Sequence, residues 1–166
     1  MSVTSVEKDY ENLSLLLVAD FTAPADRVWE LWADPRQLER WWGPPTYPAT
    51  MEEHDLTAGG RVTYFMTSPE GEKFHGWWEI VAVTPKTSLE LVDGFGDKDG
   101  NPDDSLPKTT MRMRLVEHDG GTRMELTSRF ASREQMDQLV QMQMVEGLTE
   151  SVGQIDALLA ESAVSH

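Results

Sequence analysis

No cysteine occurs among the 166 residues, which removes disulfides, thiolate metal sites and cysteine nucleophiles from consideration. No stretch approaches the ~20 consecutive apolar residues that a bilayer-spanning helix needs. The opening segment, Met1 to Glu11, is polar and has no apolar run, so a secretory leader is not expected. Positive charge is scarce: 14 Lys and Arg against 29 Asp and Glu give a formal net charge of −15. That field repels phosphate backbones and anionic membranes, and no basic stripe overrides it locally, so neither nucleic acid nor membrane insertion is expected. These absences together read as a cytoplasmic chain. Glycine-rich phosphate cradles, serine nucleophile elbows and metalloprotease helices are also missing, and no cofactor or metal is called for.

What is present reads as an α+β domain. Leu13 to Phe21 is an apolar run of strand length. Pro24 suits a first helical position, and Val28, Leu31 and Trp32 follow at helical spacing. Asp34-Pro35 ends that short helix and caps a second, which runs to Trp41-Trp42 before Gly43-Pro44-Pro45 stops it. The period then falls to two. Residues 50–56, 61–68, 73–83, 88–92, 109–118 and 122–130 read as strands separated by Gly, Pro and Asp turns. Ser132 caps a final helix expected to run unbroken to about Glu161, roughly 45 Å long at 1.5 Å per residue. Its stripe is Val140, Met144, Leu148, Val152, Ile155 and Leu159, with Gln141, Glu146, Glu150 and Gln154 facing away. Gly147 and Gly153 imply either close approach to the sheet or open space beside the helix. The expected order is strand, two short helices, six strands and one long helix. Residues 1–11 and 162–166 are expected to be flexible tails on a single domain at 12–161, and residues 95–108 a mobile loop.

A seven-stranded antiparallel sheet has one apolar face to cover, and only the last helix is long enough to cover it. A long helix laid across a curved sheet leaves space between them. Six tryptophans are many for this length. Trp41 and Trp42, adjacent on a helix, cannot share a face, so one is expected in the core and the other at the rim of the space. Met66, Met111, Met113, Met124, Met136 and Met144 fall on inward positions and would make a deformable wall. His54, His75 and His118 sit on three different strands without metal-ligand spacing. His54 and Glu52 form a conceivable acid–base pair, though a solvated strand face accounts for them as well. Arg112 and Arg114 alternate onto the wet face.

Ala23-Pro24, Val28-Trp29, Asp34-Pro35, Leu38 and Trp41-Trp42-Gly43-Pro44 resemble the opening of the family of homologues of the activator of heat-shock-protein-90 ATPase. Gly59-Gly60, Gly76 with Glu79-Ile80, and Glu146-Gly147-Leu148 through Leu158 carry the resemblance on, so that it covers about residues 12–161. The family lies in the START-like superfamily, which implies the helix-grip fold and a hydrophobic pocket between the last helix and the sheet, its mouth near the short helices. The expected occupant is a small apolar or amphipathic molecule touching Trp42, Tyr64, Met66, Phe74, Trp78, Met113, Met144 and Leu148. A chaperone is the alternative partner that the resemblance implies. The eukaryotic activators carry an additional chaperone-binding domain with no counterpart here. An enzyme of the cyclase or hydrolase kind is the third expectation, and it requires polar groups inside the cavity.

Overall fold

A computed structural model describes residues Val3 to Val164, with side chains to Glu161. Among these residues eight strands form one antiparallel sheet in the order β1-β2-β8-β7-β6-β5-β4-β3. They are β1 (Val3–Asp9), β2 (Ser14–Phe21), β3 (Ala49–His54), β4 (Arg61–Thr67), β5 (Lys73–Thr84), β6 (Ser88–Phe95), β7 (Thr109–His118) and β8 (Gly121–Phe130). Helices α1 (Ala25–Ala33) and α2 (Pro35–Trp41) follow β2, and α3 (Arg133–Gln141), α4 (Met144–Gly153) and α5 (Ile155–Val164) close the chain.

Period-two patterning places the core on one sheet face. Leu15 and Leu17 of β2, Trp78 and Ile80 of β5, Leu89 and Leu91 of β6, and Met124 and Leu126 of β8 are all buried, while Arg112 and Arg114 between the buried Met111, Met113 and Leu115 are exposed. Local signals start the helices as expected. Asp34 accepts from the Arg36 amide at 2.9 Å, and Ser132 accepts from the Gln135 amide at 3.1 Å. Pro24 stands one residue earlier than expected, at the cap of α1 rather than inside it.

Two expectations are corrected. Residues 3–9 are not a flexible tail but an eighth strand at the sheet edge, paired with β2 along Ser5↔Val18 to Asp9↔Ser14. Half-buried Val3 and Val6 pack against the core, and Asp9 ties the reversal by accepting from the Asn12 amide and side chain at 3.1 and 2.7 Å. Met1 and Ser2, and Ser165 and His166 of the segment read as a flexible C-terminus, lie outside the described residues; the backbone to Val164 is helical.

The second correction concerns the long helix, which is three segments. The Met142 amide collects the Gln138, Leu139 and Val140 carbonyls, and Gln143 turns left-handed at φ 65° before α4 begins. A left-handed non-glycine residue costs roughly 1–2 kcal/mol, so packing on either side holds the break. Leu148, Val152 and Ile155 of the expected stripe are buried, whereas Val140, Met144 and Leu159 are only partly so. A Cβ added at Gly147 or Gly153 would meet nothing within 4 Å. Of the two uses expected for these glycines, open space is the one found.

Candidate functional site

Beneath the start of α4 the sheet and helix stand apart. The space between them is a cavity of about 450 Å³ walled by β4, β6, β7, α4 and the residues after α2. Trp42, Tyr64, Met66, Met144 and Leu148 line it, which brings together five of the eight residues expected there. Trp78 and Met113 do not line it: they are closed into the core, at 0% and 1% exposure. Phe74 is displaced furthest, 51% exposed near the end of the sheet with its ring against Tyr47 at 6.1 Å. It stays outside the cavity although its register partner Met66 and its ring neighbour Tyr47 both line it.

The two adjacent tryptophans do not divide between core and rim: Trp42 lies past the end of α2 in extended backbone, and both rings pack on Trp32 and, at 5.6 Å, on each other. Trp41 is fully buried and donates its indole N–H to the Leu31 carbonyl at 2.9 Å. Trp42 forms cavity wall rather than rim, 5% exposed, with its ring edge-on to Trp78 at 4.9 Å and to Tyr64 at 6.2 Å. Of the methionines read as inward, Met66, Met111 and Met144 reach the cavity, joined by Met142 from the helix break. Met113, Met124 and Met136 are ordinary core.

The polar centre of the site lies on a residue that sequence reasoning missed. Strand β6 was expected to stop at Val92, but it continues to Phe95. The inward alternation of Leu89 and Leu91 therefore takes one more step, and Asp93 faces the cavity beside Thr109, its partner on β7. Tyr64 on β4 reaches it across the intervening strand. The ring passes over Gly76 of β5, where a Cβ would stand 2.5 Å from the phenol carbon and oxygen, and the hydroxyl donates to Asp93 Oδ1 over a long 3.4 Å.

Burial pushes the Asp93 carboxyl up to about 7, with the Tyr64 hydroxyl pulling the other way. Burial raises the Tyr64 hydroxyl well above its usual range, and the Asp93 carboxylate adds to that. The indole N–H groups of Trp42 and Trp78 oppose the rise, yet neither has an acceptor in bonding geometry. They polarise the phenol oxygen without bonding to it. The result is a carboxyl held near neutrality's midpoint, with one phenol as its hydrogen-bond partner, on an otherwise largely apolar wall.

The helix side contributes differently. The Gly43 amide donates to Ser151 Oγ at 3.2 Å, and Gln154 donates to the Trp41 and Gly43 carbonyls at 3.2 and 2.7 Å. Gln154 was expected to face away from the fold; it pins α4 to the bend after α2. Glu146 and Glu150, also read as facing away, border the cavity. His54 and Glu52 do not converge. His54 Nε2 lies 3.0 Å from the Trp32 carbonyl, while Glu52 stands 4.0 Å from His75, because a bulge between Met51 and Glu53 breaks the alternation. Arg112 and Arg114 share an outer-face groove with Arg129, Glu90 and Glu125. Among the described residues no helix is long and apolar enough to cross a membrane.

An antiparallel sheet closed by C-terminal helices over such a cavity is the architecture of the START-like, helix-grip proteins. Residues 22–160 match the model of the family described as Activator of Hsp90 ATPase homolog 1-like protein, and the chain belongs to that family. Protein Ms6760 from Mycobacterium smegmatis is similar at 50% identity and a TM-score of 0.88, over 95% of this chain and 96% of its own. A protein from Arthrobacter aurescens solved by NMR is similar at 49% identity and a TM-score of 0.93, over 96% and 93%. The AHSA1 protein of Silicibacter pomeroyi, at 24% identity and a TM-score of 0.71 over 92% and 99%, shares the fold. Among curated proteins nothing matches.

Proposed function

We propose that this protein binds a small, predominantly apolar molecule in the cavity between α4 and the sheet. The observation that carries the reading is the cavity itself: about 450 Å³, walled by Trp42, Tyr64, Met66, Met111, Met144 and Leu148. That lies within the roughly 300–1,000 Å³ usual for small-molecule sites, which are apolar with a few placed polar groups. Affinity comes from burial, at about 25 cal/mol per Å² before ordering costs. The methionines suit a wall that adapts to shape. Native mass spectrometry of protein purified from its source cells tests this. A defined stoichiometric apolar compound supports the reading; a protein still empty after incubation with a lipid and polyketide panel rejects it. Met144→Trp fills the cavity mouth and is expected to weaken a bound ligand by on the order of tenfold or more while the fold is kept.

One observation favours a second reading, catalysis of a cyclase or hydrolase kind. Asp93, with its carboxyl near 7 and the Tyr64 hydroxyl beside it, is poised to give or take a proton at neutral pH. An enzyme would release an altered compound, whereas a binding protein returns its ligand unchanged. Chaperone contact, the other expectation, has the family name behind it.

A further inference from the structure

The wall of the cavity is one-sided in charge. Asp93, Glu146 and Glu150 contribute three carboxylates to it, and among the described residues no Lys, Arg or His lines it. Within an apolar pocket that asymmetry decides what can enter. A fatty-acid carboxylate or a lipid phosphate would meet no counter-ion there and would be repelled by like charges at close range. The field of the whole chain, at −15, points the same way.

Asp93 is also incomplete as the protein leaves it. Its hydrogen-bond partner is the Tyr64 hydroxyl on Oδ1, and no guanidinium or ammonium is among the groups that hold its carboxyl. Buried carboxylates are ordinarily paired with a cation or several donors. One carboxylate on an otherwise largely apolar wall is thus left for a donor on the ligand to complete. The surrounding surfaces suit a cation: Trp42, Tyr64, Tyr47 and Phe95 line the same space, and the face of an aromatic ring attracts a desolvated ammonium.

We infer that the ligand is a hydrophobic amine, seated with its protonated nitrogen on Asp93 and its apolar body along Met66, Met111, Met144 and Leu148. This deepens the ligand-binding reading and rests on it. Glu146 and Glu150 at the α4 border draw the cation inward, and Asp93 is its seat because it alone lies on the sheet wall. The amine must carry its charge to the seat, so binding drives Asp93 fully into its ionised form. With a carboxyl near 7, about half a proton leaves the protein for each amine bound at pH 7.

The test uses three probes with one apolar body: 2-(1-naphthyl)ethylamine, 2-(1-naphthyl)ethanol and 1-naphthylacetic acid. Each is titrated calorimetrically into the full chain and into its Asp93→Asn variant, at pH 7 in two buffers of different ionisation enthalpy. The amine is expected to bind on the order of tenfold tighter than the alcohol, and the acid weakest. Asp93→Asn should erase the preference for the amine while leaving alcohol affinity within about twofold, and it should abolish the proton release. Thermal melts verify that the variant is folded, and Glu146→Gln with Glu150→Gln serves as a second variant that should lower amine affinity less than Asp93→Asn does. If the alcohol binds as tightly as the amine, or the preference survives in Asp93→Asn, the amine inference is overturned and the pocket reading stands. If none of the three binds, both are overturned.

Discussion

The two ends of the C-terminal helical segments meet the same sheet and give opposite results. Along the end of α4 and into α5, Val152 and Ile155 are fully buried and Leu158 nearly so. At the start of α4, Met144 is only partly buried, Gly147 offers no side chain, and a cavity of about 450 Å³ remains. Both ends carry apolar residues at helical spacing. The difference lies in the branched, fully buried Val152 and Ile155 at one end, against the partly buried Met144 and the left-handed Gln143 before it at the other. The space is therefore made by backbone and residue size, and the hydrophobic pattern is indifferent to it.

The closed end should be the fragile one. Ile155 is fully buried there. Ile155→Ala is expected to cost about 2–5 kcal/mol, read as a lowered denaturant midpoint. Leu148→Ala, at the cavity edge, should cost less than half of that, because part of the site is already open. Equal losses would erase the distinction between the two ends.

Asp93 sharpens the comparison through pH. Its carboxyl is near 7 in the fold against an ordinary 3.8, so between those values the folded chain holds more proton than the unfolded one. The contribution of Asp93 to stability therefore falls as pH rises from about 4 to 7 and levels off above. Asp93→Asn removes this dependence. At pH 8 it should be more stable than the parent by about 2 kcal/mol, half the full linkage value since the group keeps some solvent access, with the advantage shrinking toward pH 4. A pH-independent difference between the two proteins would mean that Asp93 is as well solvated as a surface carboxylate.

Gly76→Ala forces the Tyr64 ring off its strand and is expected to cost about 1–3 kcal/mol. It should also lower the apparent Asp93 pKa by admitting water, seen by carboxyl NMR titration. The smallest effect belongs to the helix break. Gln143→Gly relieves a left-handed residue and should raise stability by about 0.5–1 kcal/mol in a thermal melt; a loss instead would show that the Gln143 side chain holds the break.

Much of this architecture is legible before any coordinates. The Asp34 and Ser132 caps, the turn residues and the alternation of Met111 to Leu115 each act through neighbours in sequence. What failed depends on distant partners. Val3 and Val6 are too few apolar residues to announce a strand, and β1 exists because β2 offers it an edge. The break after Gln141 contains neither proline nor glycine, and the apolar stripe runs through it without a mark. Asp93 was within reach: extending the Leu89–Leu91 alternation by one step would have placed it inward. An acidic residue after an apolar run looks like the end of a strand, and that appearance hid the polar centre of the cavity.

Tyr64, Gly76 and Asp93 sit on three consecutive strands and act as one object, although no two are close in sequence. Their substitutions will not combine additively. With alanine at 76 the tyrosine has lost its track, and replacing Tyr64 or Asp93 then changes little further. The residue that shapes this part of the cavity most is accordingly one that no ligand touches. Altering what the protein accepts means moving through a set of sequences in which all three positions change in concert, because most single steps from the present trio break the arrangement.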